Sequence, residues 1–201
     1  MFICAGESEQ FEFALPIGIG MTDVAINLTR LCVSQKPDFL YFVGTAGSYG
    51  EKNIFDIVES KTATNIENSF FNAKAYTPID NLVSTAEDVS RETCKADDNS
   101  LSSVGLKPKW WSNATHEGRE TIVNSSNYIT TDKSLSKYYV DKNIHLENME
   151  YYTVLKVAKS FGIPAAGVFI VTNYCDENAH KDFLENHKEA MKKLTQYIKE
   201  K

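Results

Sequence analysis

The stretch KPDFLYFVGTAGSYG, residues 36–50, carries the clearest indication of fold in this chain of 201 residues. Its first residues, Lys36-Pro37-Asp38, end a preceding helix, because a proline disfavours the helical conformation in the residue before it. Residues 39–43 form a continuous apolar run, which is typical of a strand covered on both faces. We therefore expect a buried strand over residues 39–43 that ends at the glycine-rich segment 44–50.

Helices and strands alternate on both sides of this stretch. Apolar runs and alternating patterns predict further strands over residues 1–5, 11–19, 56–64, 121–123 and 165–172. Helical spacing predicts one helix just before residue 36 and others over residues 81–93, 135–140, 149–161 and 178–201. The alternation predicts a single α/β domain over residues 1–201, with a central sheet flanked by helices on both faces.

The composition argues against several kinds of partner and site. A net charge of −6 and a pI near 5.3 do not suit binding to a phosphate backbone, so we expect no nucleic-acid partner. The chain has no apolar run of about 18 residues, and its start, MFICAGESEQ, lacks the pattern of a signal peptide. The four cysteines are scattered and no His/Cys cluster has ligand spacing. We expect a reduced, cytoplasmic protein with no membrane contact and no metal site.

Two polar groups stand at positions where a regular helix or strand does not require them. Glu147-Asn148-Met149-Glu150 opens the predicted helix over residues 149–161, and Asn173 follows the predicted strand over residues 165–172. Each has a structural explanation: a glutamate in a first turn is favoured by the helix dipole, and an asparagine after a strand suits a turn or a helix N-cap. Together they indicate a ligand site at the ends of neighbouring strands.

Two glycine clusters bracket the first predicted helix. GIG covers residues 18–20 and GTAGSYG covers residues 44–50. Glycines here form a simple turn, or they let a ligand approach closely and offer backbone N–H groups to an oxygen or a phosphate. On the last helix, His180 and His187 are expected on a solvated face, and Trp110-Trp111 is expected to be a loop anchor or an interface.

These motifs occur in an order that resembles the nucleoside phosphorylase-I family. That family holds the purine nucleoside phosphorylases and the methylthioadenosine/S-adenosylhomocysteine nucleosidases. The resemblance covers residues 18–48 and about 122–183, through GIG, KPDFLYFVGTAGS, ENME, FGIP and the polar strand end. It implies a mixed twisted sheet, cleavage of the N-glycosidic bond of purine nucleosides, and a homo-oligomer, either a dimer or a hexamer. It implies no cofactor, with inorganic phosphate as co-substrate.

The resemblance also implies roles for individual residues around the nucleoside. Met149 and Glu150 fall on the pair that holds the ribose, where a carboxylate can accept hydrogen bonds from both hydroxyls. The dipole of the following helix is expected to help keep Glu150 ionised. Tyr128 falls on the aromatic residue that stacks on the purine. Asn173 falls where many members place an aspartate beside N7 of the base, and with Glu150 it is the implied catalytic pair.

The asparagine at residue 173 is the first of three departures from the family pattern. An amide donates a hydrogen bond but has no proton to give up, so Asn173 cannot be a general acid. Its N–H₂ group suits O6 and N7 of a 6-oxopurine, which are both acceptors. We therefore expect 6-oxopurine nucleosides as substrates.

The second and third departures concern the attacking group. Gly20 and Thr45 fall on phosphate-binding positions, but Phe42 replaces the arginine that hexameric phosphorylases carry before the glycine loop. The N-terminal insert that holds a water-orienting glutamate in the nucleosidases is almost missing, which leaves Glu7 and Glu9 as candidates.

Only three arginines are present, Arg30, Arg91 and Arg119. Binding of phosphate would therefore depend on backbone amides, on Thr45, and on Arg119 or a residue of a partner subunit. The first expectation is phosphorolysis to free base and ribose 1-phosphate. The alternatives are hydrolysis by water, and a nucleoside-binding protein without catalysis.

Overall fold

A computed structural model describes residues 1–71, 76–85 and 121–200 of the chain. Several residues, including some named above, lie outside these ranges: Arg91, Cys94, Trp110, Trp111, His116 and Arg119. Most of the helix expected over residues 81–93 also lies outside them. Within the described residues, no helix is long and apolar enough to cross a membrane.

In the described part of the chain, nine strands form one mixed sheet. The strands are β1 (Phe2–Cys4), β2 (Leu15–Pro16), β3 (Leu40–Ser48), β4 (Ile57–Ser60), β5 (Thr62–Thr64), β6 (Leu82–Ser84), β7 (Ile122–Ser125), β8 (Ile144–Asn148) and β9 (Ala165–Tyr174). Their main order is β2-β1-β3-β8-β7-β5-β6, and β9 pairs with β3 and β4. Strand β3 is central: it runs parallel to β9 along its whole length and antiparallel to β8 at its last two residues.

Among residues 1–71, 76–85 and 121–200, four α-helices and a 3₁₀ turn (Asn68–Phe70) accompany the sheet. The α-helices are α1 (Gly20–Gln35), α2 (Lys133–Val140), α3 (Tyr151–Phe161) and α4 (Ala179–Lys199). Side chains alternate along β3, so Phe42 packs in the core that includes α1 and α3, whereas Val43 packs with β9 and α4. The predicted α/β fold, with helices on both faces of a mixed sheet, is confirmed.

The structure corrects the prediction that β3 ends before a glycine loop. Residues 44–48 continue the strand and pair with β9. A Cβ atom at Gly44 would lie 2.9 Å from Glu9 Oε2, and one at Gly47 would lie 2.9 Å from Asn173 Nδ2. Gly44 and Gly47 therefore make room for the side chains of Glu9 and Asn173, which lie against the strand. The sequence does not distinguish this case from a turn, because close approach and turns both favour glycine.

Other boundaries also differ from the sequence prediction. The strand expected over residues 56–64 is two strands separated at Lys61, the one over 11–19 is reduced to Leu15–Pro16, and Leu82–Ser84 is a strand where a helix was expected. Strand β8 was missed, although Ile144 and Leu146 alternate with polar residues. Glu147 and Asn148 consequently belong to β8, and helix α3 begins at Tyr151.

Candidate active site

A cavity of about 300 Å³ lies where β3, β8 and β9 end next to one another. The loop after β1, the junction of β8 with α3 and the first turns of α4 complete its wall. Six of the residues singled out from the sequence line it: Glu9, Thr45, Tyr128, Met149, Glu150 and Asn173. Gly20 is not in the wall; it lies behind Glu150 and donates its N–H to that carboxylate.

Glu150 is a buried carboxylate held by three N–H groups. Its Oε1 accepts the Gly20 N–H at 2.9 Å, and its Oε2 accepts the Met149 N–H at 3.1 Å and Asn148 Nδ2 at 3.3 Å. Burial, and then the negative charge of Glu9, raise the pKa of Glu150 to about 7. The expected ionising effect of α3 does not prevail, because desolvation penalises the charged form more strongly.

Glu9 reaches the cavity from the loop between β1 and β2. Its Oε2 accepts the Thr45 N–H at 3.1 Å, and its Oε1 accepts the Thr45 hydroxyl in a short hydrogen bond. Burial of the carboxyl group raises the pKa of Glu9, and the two bonds to Thr45 oppose this shift. Glu7, the other candidate, is exposed and is not part of the cavity wall.

Asn173 lies at the end of β9, next to a bulge in its pairing with β3. Its Nδ2 donates to the Tyr174 carbonyl at 3.0 Å, and its Oδ1 accepts the Thr172 hydroxyl at 2.9 Å. These bonds fix the orientation of the amide, because a carbonyl can only accept. One of the two N–H groups of Asn173 remains for a ligand.

The rim of the cavity is aromatic and partly apolar. Tyr128 is 73% exposed and Ile129 is 54% exposed, so both offer open surface to a ring. His180 and Phe183 contribute from α4. His180 is exposed, as expected, but it also lines the cavity, which the charged composition of α4 does not indicate. His187 is half-buried, so the expectation that both histidines lie on a solvated face is wrong for His187. The spacing of three residues between His180 and Phe183, which puts both on one face, was the available signal.

Glu147 also lines the wall, although the sequence analysis assigned it no individual role. Its carboxylate accepts the Thr130 N–H at 2.8 Å, the Thr130 hydroxyl at 2.6 Å and the Tyr49 hydroxyl at 2.7 Å. Burial raises the pKa of Glu147. The alternation of β8 would have placed it opposite the core-facing Leu146.

The described part of the wall contains several carboxylates and no lysine or arginine. Three carboxylates, Glu9, Glu147 and Glu150, line the cavity, and none of the lining residues that the structure describes is a lysine or an arginine. Phe42 is fully buried, as expected for an apolar residue at this position, and Arg30 is exposed on α1. Across residues 1–71, 76–85 and 121–200, no group of three or more His, Cys, Asp or Glu side chains is arranged to hold a metal ion.

Comparison with known families and structures gives a consistent result. A family model described as "Phosphorylase superfamily" matches residues 5–200. No curated protein matches the chain.

Several solved structures share the fold. One is a Helicobacter pylori 5'-methylthioadenosine/S-adenosylhomocysteine nucleosidase, crystallised as an aspartate-to-asparagine variant with 5'-methylthioadenosine in the active site. It is 18% identical to this chain, and the match covers 93% of this chain and 78% of that one, with a TM-score of 0.68. Futalosine hydrolase from H. pylori is also 18% identical, over 92% and 76% of the two chains, with a TM-score of 0.68. The 5'-methylthioadenosine/S-adenosylhomocysteine nucleosidase from Streptococcus pneumoniae is 13% identical. This match covers 98% of this chain and 95% of that one, with a TM-score of 0.67. At these identities the likeness concerns the fold.

Proposed function

Because the chain belongs to the phosphorylase superfamily, which matches residues 5–200, we propose that it is a purine nucleosidase that hydrolyses the N-glycosidic bond with water. This was the alternative to phosphorolysis in the sequence analysis. The observation that carries the proposal is the pair of hydrogen bonds between Glu9 and Thr45. In these bonds the Glu9 carboxylate occupies the Thr45 N–H and the Thr45 hydroxyl, which are the donors that a bound phosphate ion would need.

The charge of the cavity supports water over phosphate as the attacking group. A phosphate dianion would share the cavity with Glu9 and Glu150, with no lysine or arginine among the described lining residues. Like charges in a poorly solvated site repel one another strongly. Water meets no such penalty, and Glu9 can accept its proton. The raised pKa of Glu9 brings its basicity closer to neutral pH, where a general base is most effective.

The reaction then follows from three side chains. Glu150 accepts hydrogen bonds from the ribose hydroxyls and stabilises the positive charge that develops on the sugar. Glu9 takes a proton from water as its oxygen bonds to C1′ and the C1′–N9 bond breaks. The electron pair of that bond leaves on the base, where Asn173 donates a hydrogen bond to N7 or O6. The departing 6-oxopurine anion takes its proton from solvent, because an amide cannot supply one.

The names of the neighbouring structures agree with this assignment. The two nucleosidases and futalosine hydrolase are all hydrolytic enzymes by name. For this chain, 6-oxopurine selectivity, a homo-oligomeric state, a cytoplasmic location and independence from metals and organic cofactors stay part of the proposal.

Release of base from inosine, guanosine and adenosine, with and without millimolar phosphate, tests the reaction. We expect release that does not depend on phosphate and yields ribose. Glu9→Gln should lower the rate at least about a hundredfold, since it removes the base. Glu7→Gln is the matched control and should behave like wild type, because Glu7 lies outside the cavity wall.

Two results would contradict the proposal. Release that requires phosphate and yields ribose 1-phosphate would establish phosphorolysis. Tight nucleoside binding without release would identify a binding protein.

A further inference from the structure

Asn148 lies between the start of helix α3 and the carboxyl group of Glu150. It is the last residue of β8, it is 7% exposed, and it lines the cavity. Its Nδ2 donates to Glu150 Oε2 at 3.3 Å. This amide is one of the three groups that hold Glu150, although the hydrolytic steps described above do not use it.

Two donors fix the orientation of the Asn148 amide. Its Oδ1 accepts the Ser125 hydroxyl at 2.8 Å and the Tyr151 N–H at 3.2 Å. A backbone N–H can only donate, so a flipped amide would place its N–H₂ group against the Tyr151 N–H and its oxygen against the Glu150 carboxylate. The Nδ2 of Asn148 therefore points to Glu150.

Ser125 is itself held in place, because it belongs to a strand and binds the first turn of a helix. It is fully buried on β7, where it pairs with Asn148 of β8. Its Oγ accepts the Tyr152 N–H at 2.9 Å, which is one of the N–H groups that the start of α3 leaves without a partner inside the helix. Its hydroxyl hydrogen then remains for Asn148 Oδ1. A continuous set of hydrogen bonds thus connects the first turn of α3 to Glu150.

We propose that Asn148 is a positioning residue for Glu150: its fixed amide holds Oε2 and favours the ionised carboxylate. The inference rests on the proposed function, in which an ionised Glu150 accepts the ribose hydroxyls. Burial and the charge of Glu9 favour the neutral form of Glu150, whereas N–H donors favour the ionised form. Asn148→Asp keeps the shape of the side chain but brings a carboxylate oxygen against Oε2, and two adjacent carboxylates resist ionising together.

Other titratable side chains lie on the elements that form or adjoin this wall of the cavity. They are Glu9 after β1, Asp23 on α1, Tyr128 after β7, Glu147 on β8, Lys156 on α3 and His180 on α4. All of them are retained in the variants compared below. A difference between these variants in the ionisation of Glu150 is therefore caused by the substituted residue.

A purely structural role for Asn148 makes a different prediction. Its Oδ1 also binds the start of α3, and loss of that contact would lower stability without a specific effect on Glu150. Ser125→Ala separates the two roles. It removes the bonds of Ser125 to Asn148 and Tyr152 but leaves the Tyr151 N–H on Asn148 Oδ1, so the amide keeps its orientation.

NMR of the chain labelled with ¹³C at the glutamate side-chain carboxyl carbon measures the ionisation of Glu150 directly. The resonance of Glu150 is the one missing from Glu150→Gln. We expect its titration midpoint, at a pKa of about 7 in the wild-type chain, to rise by at least about one pH unit in Asn148→Asp and by about half a pH unit in Asn148→Ala. Ser125→Ala is the matched control: its midpoint should stay within about 0.3 pH unit of wild type, while it unfolds at a lower urea concentration.

Two results overturn the inference. A midpoint in Asn148→Asp within about 0.3 pH unit of wild type means that residue 148 does not act on Glu150. An equal rise in Ser125→Ala and Asn148→Ala means that the start of α3, rather than the amide, determines the ionisation. Circular dichroism checks that each variant folds. If Asn148→Asp does not fold, an unchanged midpoint in Asn148→Ala overturns the inference in its place.

The titration needs neither substrate nor turnover, so its result is independent of the proposed reaction. Release of base without phosphate, together with unchanged midpoints, refutes only the role of Asn148. The expected midpoints, together with release that requires phosphate, refute only hydrolysis.

Discussion

Glu150 and Glu9 line the same cavity, and Glu9 affects the pKa of Glu150. The charge of Glu9 is a cause, after burial, of the raised pKa of Glu150. Both carboxylates are held by backbone N–H groups, from Gly20 and Met149 on one side and from Thr45 on the other. Because the charge of Glu9 affects the pKa of Glu150, we expect the pH profile of the reaction to depend on both carboxylates.

Replacement of Glu150 tests the ribose contact. Glu150→Ala removes the acceptor for the two ribose hydroxyls, and we expect kcat/KM for any purine nucleoside to fall roughly a hundredfold or more. The measurement is initial rates of base release, with inosine and 2'-deoxyinosine compared. Wild type should prefer inosine, and the variant should lose that preference. An unchanged preference would remove Glu150 from the ribose site.

Replacement of Asn173 tests the leaving group. Asn173→Asp introduces a carboxyl group. Its protonated form can donate a proton to N7, and its ionised form can accept a hydrogen bond from the 6-amino group of adenine. The ratio of adenosine to inosine hydrolysis should rise about tenfold or more. The test is the rate ratio at pH 6 and pH 8. A ratio that does not change would contradict the interpretation of Asn173 as a base contact.

Strand β3 both contributes to the hydrophobic core and forms part of the cavity wall. Its first half packs apolar side chains on both faces, and in its second half Gly44 and Gly47 leave room for the side chains of Glu9 and Asn173. The pairing with β9 continues through both halves, with one bulge between Ala46 and Gly47. A strand can therefore serve as a binding-site wall when its glycines face neighbouring side chains.

Gly47→Ala tests this use of the strand. Its Cβ would lie 2.9 Å from both Asn173 Nδ2 and Cys175 Sγ, closer than real Cβ atoms approach. We expect a loss of about 1–3 kcal/mol in the free energy of unfolding and a larger relative loss of hypoxanthine affinity. Urea unfolding and titration calorimetry measure these. Adding Cys175→Ala removes one of the two clashes and should recover part of the stability; no recovery would mean that the clash is not the cause.

The two αL helix ends differ in residue type and form a matched pair. Lys36 caps α1 at φ 46°, and Gly162 caps α3 at φ 66°. Lys36→Gly should raise the free energy of unfolding by about 0.5–1 kcal/mol, since glycine adopts this conformation without strain. Gly162→Ala should lower it by about 1 kcal/mol, for backbone reasons alone, because no atom lies within 4 Å of the added Cβ. Thermal or urea unfolding checks both signs, and equal signs would contradict the argument.

Three buried carboxyl groups of the described residues lie close together in the folded molecule. Glu9, Glu147 and Glu150 lie around a single cavity, and burial raises the pKa of each. The folded state binds protons more tightly than the unfolded state at these sites. Stability from them is complete below the unfolded pKa near 4.5 and is lost as the pH rises through the folded pKa, about 7 for Glu150.

The free energy of unfolding should accordingly fall between pH 5 and pH 8 by the contribution of these groups. His145 and His187 act in the opposite direction below pH 6.5, because burial lowers the pKa of each. Glu150→Gln retains both histidines, so its curve isolates Glu150. Urea unfolding across this range should give a flatter profile for Glu150→Gln than for wild type. Parallel curves would refute the raised pKa of Glu150.

Local patterns in the sequence were sufficient for the parts of the fold that depend on near neighbours. The apolar runs at residues 39–43 and 165–172 and the helical spacing of residues 149–161 gave buried strands and a helix, since side-chain burial imposes a period on each. The motifs around Glu150 and Asn173 were sufficient for the family, and the match over residues 5–200 confirms it.

The active-site details came from contacts between residues far apart in the chain. Glu9 and Glu7 look alike in ESEQ, and only the turn after β1 directs Glu9 to Thr45, 36 residues away. The glycines of β3 have the sequence pattern of a turn, and only the tertiary structure shows that Glu9 and Asn173 lie against them. Glu147 becomes a cavity residue when β8 lies beside β3, and the pKa of Glu150 depends on burial and on Glu9. Desolvation and charge coupling depend on distance in space, which a linear pattern of residue types does not contain.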